Sequence, residues 1–286
     1  MNLFDLWEIA IKDLLALPSC FHRNRKLSAI RPIKYRKSVE NDILYIGIHE
    51  WGGYKPMRRK HINKTIQDFD CGLEYQLKRF NNYNGTRHID LTVTISDIEV
   101  YADIEKLKNC CHRLIPVSNI GMDFSGYSTF FKLIERQKNS YVLLTNSSVN
   151  ALQVDFIDSY LDYLEKNPDV GMLGISCCSK CYQTLIRHNF TPHLQSFFLL
   201  TTIDVLNEAI KLNGGKFPGS GISNKQLLIR EGEIKLSQLV LQLGYKLAVV
   251  TQKGPVKFDN NPKNWILPWG DYRCYTSVPN AINPIK

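Results

Sequence analysis

The 286-residue chain lacks the long apolar run that a membrane span requires. A spanning helix needs about 20 predominantly apolar residues, and no stretch of this sequence approaches that length. Met1 to Leu17 also lacks the layout of a signal peptide, because Asp5, Glu8 and Asp13 interrupt its apolar residues. We therefore expect a cytoplasmic protein, with the inner face of the plasma membrane as a second expected location.

The sequence also lacks the second half of a zinc site. Among its eight cysteines, Cys178 and Cys181 have Cys-x-x-Cys spacing, but no second such pair or spaced histidine pair completes the set. Without a secretion signal, reduced thiols are expected rather than disulfides. We predict no structural metal.

Acidic residues are missing from Leu14 to Val39, and the formal net charge of the chain is +9. This stretch contains seven cations, and a second basic cluster extends from Lys55 to Lys64. Such clusters attract anionic lipid, nucleic acid or nucleotide diphosphates. The stretch follows an amphipathic helix pattern formed by Leu3, Leu6, Trp7, Ala10, Leu14 and Leu17. Two interpretations stay open, an anchor on an anionic membrane surface and packing on the protein's own core or on a second copy of the chain.

The remainder of the chain alternates between strand and helix patterns. Apolar strands are predicted at Ile43–Ile48, Ile89–Ile95, Arg113–Val117 and Tyr141–Leu144, with further strands at Gly171–Ile175, His193–Leu200 and Tyr245–Val250. Apolar residues at helical spacing lie between most of these predicted strands. This alternation predicts an α/β fold with a mostly parallel sheet flanked by helices. We expect an N-terminal helix and basic segment at 1–40, a catalytic domain at 41–250 with halves 41–150 and 151–250, and an extension at 251–286 that wraps the domain or contacts another copy.

The predicted strand at Tyr141–Leu144 runs into the short polar segment Thr145 to Ser148. In open α/β sheets, ligands bind outside the carboxyl ends of the strands. Hydroxyl and amide side chains at this tip would face such a ligand. The alternative is that these small polar residues only turn the chain.

Four motifs in order resemble sugar-nucleotide glycosyltransferases of the GT-A fold, and specifically the rhamnan synthesis F type of bacterial polysaccharide enzymes. They are Asn119-Ile-Gly-Met-Asp-Phe124, Leu144-Thr-Asn-Ser-Ser148, His193-Leu-Gln-Ser-Phe-Phe198, and Glu231-Gly-Glu-Ile234 ahead of Gly244-Tyr245. The likeness covers about Ile43 to Val250. It implies a GT-A-like fold.

The resemblance implies a donor nucleotide side for the first half. The residues that it assigns there are His49, Asp97, Asn119, Gly121, Asp123, Asn146, Ser147 and Ser148. Many GT-A enzymes place an Asp-x-Asp motif at the tip to hold a divalent cation, whereas the tip here has no carboxylate. Neutral oxygens are poor sole ligands for Mg²⁺ or Mn²⁺. Three outcomes stay open: catalysis without metal through Lys or Arg, a weakly held cation on Asp123, and lost activity.

The resemblance also implies a base and an acceptor side. Inverting transfer needs a carboxylate that deprotonates the acceptor hydroxyl, and Glu233 falls at the corresponding place, at the predicted start of a helix, with Glu231 as the second candidate. The alternative is that both acids only stabilise the N-terminal end of a helix through its dipole. His193 and Gln195 alternate along a predicted strand and would face the acceptor or the donor phosphates, unless they are structural.

The function implied is a glycosyltransferase of hexosyltransferase type, with a nucleotide-sugar donor and a glycan or lipid-linked acceptor in bacterial surface glycan synthesis. An anionic membrane surface and a second copy of the chain are further expected partners, and nucleic acid is not. Two alternatives stay open: transfer of another nucleotide-activated group on the same scaffold, and a non-catalytic polyanion-binding protein, against which no nucleic-acid motif is recognised.

Overall fold

The computed structural model describes residues 7, 10, 11, 14, 32–179, 192–259, 267 and 270–285. Most of the predicted N-terminal helix and much of the first basic segment lie outside the described residues. Trp7, Ala10, Ile11 and Leu14 are described and helical. No helix among the described residues is long and apolar enough to cross a membrane.

One eight-stranded sheet organises the fold. The strands of the whole structure, in chain order, are β1 Ile43–Trp51, β2 Arg58–Lys60, β3 Phe69–Cys71, β4 His88–Ser96, β5 Arg113–Val117, β6 Tyr141–Asn146, β7 Val170–Gly174, β8 Cys177–Cys178, β9 His193–Leu194, β10 Phe198–Thr202, β11 Lys246–Thr251 and β12 Gly254–Phe258. The large sheet has the order β12-β11-β7-β10-β6-β1-β4-β5, and β2-β3 and β8-β9 form two small hairpin-like pairs.

Parallel pairing dominates the sheet. Strands β5, β4, β1 and β6 are joined by parallel pairings, as are β7 and β11. Strand β10 runs antiparallel between β6 and β7, and β12 is antiparallel at the edge. The predicted class, an α/β fold with a mostly parallel sheet flanked by helices, is confirmed, and the arrangement is consistent with a GT-A-like fold.

Helices cover both faces of this sheet. They are α1 Leu73–Asn81, α2 Ile104–Lys108, α3 Asp123–Ile134, α4 Ile157–Lys166, α5 Ile203–Leu212, α6 Lys225–Leu228 and α7 Lys235–Gln242, with a π-helical segment Ile229–Ile234 joining α6 to α7. Strand β1 shows how the faces divide: Leu44, Ile46 and Ile48 enter one apolar cluster, whereas Tyr45 enters the other. Burial on both faces explains why these strands have near-continuous apolar sequences.

Two expected boundaries were wrong in ways that affect the site. Strand β1 continues past its predicted end at Ile48 to Trp51, because His49 and Glu50 are buried there at 3% and 1% exposure and have hydrogen-bond partners. The helix expected to begin at Glu231 begins at Lys225, where the Asn224 side chain accepts a hydrogen bond from the amide of Leu227.

The region between His193 and Leu200, expected to be one strand, is divided into β9 and β10. The C-terminal residues wrap the domain, which is one of the two arrangements expected for them. Asn280 and Ile282 are buried, and the tyrosyl hydroxyl of Tyr160 donates to the carbonyl of Asn283 at 2.8 Å.

Candidate active site

A cavity of about 530 Å³ opens at the carboxyl ends of β1 and β6. Ligands of open α/β sheets bind at this end of the strands. Nine of the twelve expected site residues line the cavity: His49, Asn119, Asp123, Asn146, Ser147, Ser148, His193, Gln195 and Glu233. Asp97, Gly121 and Glu231 do not line it.

The ends of β1 and β6 place the first polar groups. His49 and Asn146 are neighbours in the parallel register. The Asn146 amide nitrogen donates to Asp123 Oδ2 at 2.7 Å, and its oxygen accepts from the amide of Ser148 at 2.8 Å. His49 Nδ1 lies 3.2 Å from Thr94 Oγ1. Burial lowers the pKa of His49, and the nearby Asp123 opposes this shift, so the imidazole is neutral at pH 7.

Asp97 lies just behind the cavity wall and orients two residues of it. Its Oδ2 accepts from the Trp51 indole nitrogen at 2.6 Å and from the Asn119 amide at 3.1 Å. Trp51 is 38% exposed, and its ring meets Tyr54 edge-on at 4.8 Å. Asp97 therefore supports the cavity wall through these two side chains, and its expected place on the donor nucleotide side stays a prediction.

Gly121 turns the chain into helix α3. Its φ of 103° and the φ of 46° at Met122 lie in the left-handed region, which glycine adopts without strain. The turn makes Asp123 the first residue of α3. A carboxylate is stabilised at this end of a helix, and here it also faces the cavity.

Glu233 approaches the cavity from the opposite wall, on the π-helical segment. Its Oε1 accepts a hydrogen bond from the amide of Ser196 at 2.9 Å. Burial raises the pKa of Glu233 to about 7, although the Ser196 bond acts in the other direction. Because Glu233 lies well inside the helix, the dipole at a helix start does not explain its position. Single π turns within α-helices are often found at functional sites.

Glu231 points elsewhere. Its carboxylate lies 2.9 Å from Arg230 Nε and 3.4 Å from Lys235 Nζ. These contacts fit an acid that stabilises its own helix.

His193 and Gln195 lie on the same wall as Glu233. Both are buried, at 1% and 7% exposure. The side-chain oxygen of Gln195 accepts from the Ser176 hydroxyl at 2.5 Å, and the Leu194 amide between them donates to Ser237 Oγ at 3.0 Å. The segment from β9 to Gln195 is therefore held by α7 and by the residues that follow β7, and its polar side chains line the cavity.

An arm formed by β2 and β3 brings two cations that the sequence indicated only as part of a basic cluster. Arg58 donates to Ser147 Oγ at 2.6 Å and to Glu50 Oε2 at 3.3 Å, and Ser147 Oγ donates to Glu50 Oε1 at 2.7 Å. Lys60 donates to Ser148 Oγ at 2.6 Å and lines the cavity. The alternation of Arg58 and Lys60 about Arg59 was the signal that could have identified them, since alternate strand residues share a face.

The C-terminal residues complete the cavity with Arg273 and Asn280. The Asn280 amide donates to the carbonyl of Ser148 at 2.8 Å, which fixes the strand tip. The Arg273 guanidinium pairs with Asp271 at 2.5 Å. Sequence patterns gave no indication of either residue, because their part of the chain has weak periodicity.

Two cations of the first basic segment are bonded within the fold and are therefore not available to bind an anionic partner. Lys34 pairs with Glu208 at 2.7 Å. Arg36 is buried and donates to the carbonyls of Val170 and Leu164. Both cations are engaged within the fold.

The donor set at the strand tip does not fit a resident Mg²⁺ or Mn²⁺. Asn146 directs its nitrogen to Asp123 and its oxygen to a backbone amide, and Ser147 and Ser148 accept hydrogen bonds from cations. Two carboxylates contact this tip, Asp123 through Asn146 and Glu50 through Ser147, and Glu50 is already paired with Arg58. No cluster of three or more metal-ligating side chains occurs among the described residues. Divalent cations of this kind favour several anionic oxygens.

No family model and no curated protein matches the sequence, so membership of the rhamnan synthesis F type stays a prediction. Among solved structures, the chain is similar to the mannosyltransferase PcManGT from Pyrobaculum calidifontis in complex with GDP-Man and Mn²⁺, at 13% identity and a TM-score of 0.36, over 84% of this chain and 65% of that one. It is also similar to S. aureus TarS, at 11% identity and a TM-score of 0.42, over 77% of this chain and 37% of that one. The chain thus spans less than two thirds of either neighbour, and likenesses at this level assign no function to it.

Proposed function

We propose that the protein is a glycosyltransferase that moves a sugar from a nucleoside-diphosphate sugar to an acceptor hydroxyl. The observation that carries this proposal is the pairing, across one cavity, of Glu233 with the cation-bearing tip of β6. Transfer of this kind needs a base for the incoming hydroxyl and positive charge for the departing diphosphate, and the two walls supply one each.

Glu233 acts as the general base in this proposal. With a pKa raised to about 7, it is substantially ionised at neutral pH and is still basic enough to accept a proton, which is the balance that general catalysis favours. It takes the proton of the acceptor hydroxyl while that oxygen forms a bond to the anomeric carbon. The bond from that carbon to the diphosphate oxygen breaks, and the diphosphate leaves with the electron pair.

The nucleoside part of the donor lies on the β1 side. Trp51 and Tyr54 offer partly exposed aromatic faces there, and Asn119 adds an amide. Asp123 is placed to hydrogen-bond the sugar hydroxyls, with Asn146 holding its carboxylate in position. His193 and Gln195 line the acceptor side next to Glu233.

The acceptor class is proposed to be a glycan or a lipid-linked oligosaccharide of a bacterial surface polymer, with a hexose as the transferred sugar. The basic and amphipathic sequence before residue 40 supports a membrane-carried acceptor.

A liposome-partition experiment tests this proposed acceptor. The 286-residue chain is expected to partition onto anionic liposomes more than a chain that begins at Pro18. Equal partition would remove the support for a membrane-carried acceptor.

A thermal-shift screen tests the proposed function. The panel contains nucleoside-diphosphate sugars, other nucleotide-activated compounds and short nucleic acids. Ligands that bind only the native state raise its melting temperature. We expect a shift with sugar nucleotides of one base. A shift with nucleic acid alone would favour the polyanion-binding alternative, and a shift confined to another activated group would favour the second transferase class.

A further inference from the structure

We propose that Lys60 neutralises the donor diphosphate in this protein, in the place where related enzymes would use a bound divalent cation. The inference rests on the proposed function, since it concerns how the same cavity holds its donor. It starts from the disagreement between the expected cation and the donor set at the tip of β6.

Lys60 is a partly buried cation that lines the cavity and forms no ion pair with a described carboxylate. Its ammonium group donates to the neutral hydroxyl of Ser148 at 2.6 Å, and the described part of the chain offers it no carboxylate within ion-pair distance. Burial of an unpaired charge is costly. An anionic ligand in the cavity would remove this cost, so the arrangement is suited to binding an anion.

Arg58 and Arg273 are already engaged, which distinguishes Lys60 from them, and Lys225, the other lysine among the described residues that line the cavity, is exposed. Arg58 pairs with buried Glu50, and its guanidinium stacks 4.0 Å above the ring of Tyr54. Arg273 pairs with Asp271. Arg58 therefore fastens the β2–β3 arm to the tip of β6, and this contact positions Lys60 over Ser148.

The tip itself is arranged for a lysine rather than for a metal ion. Ser147 and Ser148 both accept hydrogen bonds from cationic side chains of the arm. A divalent ion at the same place would lie beside these cations, and the two adjacent carboxylates are already engaged, Asp123 with Asn146 and Glu50 with Arg58. Like-charge repulsion would oppose its binding.

Isothermal titration calorimetry with the diphosphates of uridine, guanosine, adenosine and thymidine tests this inference. Each titration of the full chain is run with EDTA and with Mg²⁺. We expect one diphosphate to bind with the same Kd under both conditions. Because hydrogen bonds to charged groups contribute about 1.5–3 kcal/mol, Lys60→Met should weaken that binding by about 10- to 100-fold.

Two further variants serve as controls. Arg59→Met removes an exposed cation from the same strand, on the face turned away from the cavity, and should bind as wild type. Lys60→Arg keeps the charge and should restore most of the affinity. Lys60→Met should keep or raise the melting temperature, since it removes a partly buried charge that has no ion-pair partner among the described residues.

The outcomes separate this inference from the proposed function. Binding that requires Mg²⁺ would overturn the inference and leave the transferase proposal standing. Metal-free binding that Lys60→Met leaves unchanged would overturn the role of Lys60. Absence of binding by every diphosphate under both conditions would overturn both.

Discussion

Glu233 combines a position that suits catalysis with a cost to stability. Its raised pKa of about 7 means that the folded state holds a proton more tightly than the unfolded state, in which the usual value is 4.5. The stability that this proton provides is fully present below the unfolded value and is lost as the pH rises through about 7. At pH 8 the folded protein therefore carries the full cost of a buried carboxylate.

Glu233→Gln tests this conflict. The variant should lose about 10²- to 10⁴-fold in transfer rate, as expected for removal of a general base. Its free energy of unfolding at pH 8 should rise by up to about 3 kcal/mol, from the size of the pKa shift. Rate assays and denaturant melts at pH 8 measure the two effects. Glu231→Gln is the matched control and should keep most of the activity, and a reversal of the two results would reassign the base.

The pH profile gives a second test at the residue scale. If Glu233 must be ionised, kcat/KM should fall as the pH decreases through about 7, with a limb that reports its pKa in the free enzyme. Initial rates from pH 5 to 9 measure this limb. A profile that is flat between pH 6 and 8 would contradict the assignment.

At the scale of elements, the π-helical segment depends on a glycine against an aromatic ring. A Cβ atom added at Gly232 would lie 2.8–3.0 Å from the ring of Phe124, which is closer than ordinary packing permits. This contact joins the segment that carries Glu233 to the helix that carries Asp123. The separation of the two cavity walls therefore depends on this close approach.

Gly232→Ala should lower both stability and transfer rate. Overpacking of this kind costs about 1–3 kcal/mol, and the shift would move Glu233 relative to the opposite wall. Thermal melts and initial rates measure these effects. Phe124→Leu in the same chain should recover part of the stability, whereas unchanged stability in Gly232→Ala alone would show that the contact is not tight.

The elements differ in how well sequence patterns predict them. Strands such as β1, β4 and β6 have apolar runs that reflect burial on both faces, and they were located to within a few residues. The π segment was misplaced because Gly232 suggests a helix boundary, although Phe124 is what requires a glycine there. The β2–β3 arm was missed because its strands are only three residues long, and because β2 is entirely basic and depends on contacts with Ser147 and Ser148.

The site residues likewise differ in whether the local sequence or a tertiary contact determines their position. Residues at strand ends and in the four motifs, such as Asp123 and Glu233, were expected and do meet at one cavity, although their catalytic roles stay proposals. The alternation about Arg59 could have put Arg58 and Lys60 on one face of a strand, but the position of that strand over the cavity depends on how the arm folds over the sheet. Arg273 could not be placed from sequence, because its position depends on how the C-terminal residues fold over the sheet.

At the scale of the whole molecule, the C-terminal residues link core stability to the cavity. The amide of Asn150 donates to the carbonyl of Asn280, and the Asn280 side chain reaches the Ser148 carbonyl. Ile282 joins the apolar cluster that contains β1. Loss of this packing should therefore affect both folding and the tip of β6.

Ile282→Ala should reduce the free energy of unfolding by about 2–5 kcal/mol, as for other buried isoleucines. Ile285→Ala is the control, since that residue is only partly buried, and should cost less. Urea melts monitored by circular dichroism measure both. Equal effects of the two variants would contradict the described packing.

The most direct test of the central claim is release of nucleoside diphosphate from a panel of nucleoside-diphosphate sugars, by wild type and by Glu233→Gln, in the presence of bacterial membrane extract as the acceptor source. We predict release from sugar nucleotides of one base by wild type, and a loss of this release in the variant. Release from none of them, or equal release by both proteins, would contradict a glycosyltransferase that uses Glu233 as its base.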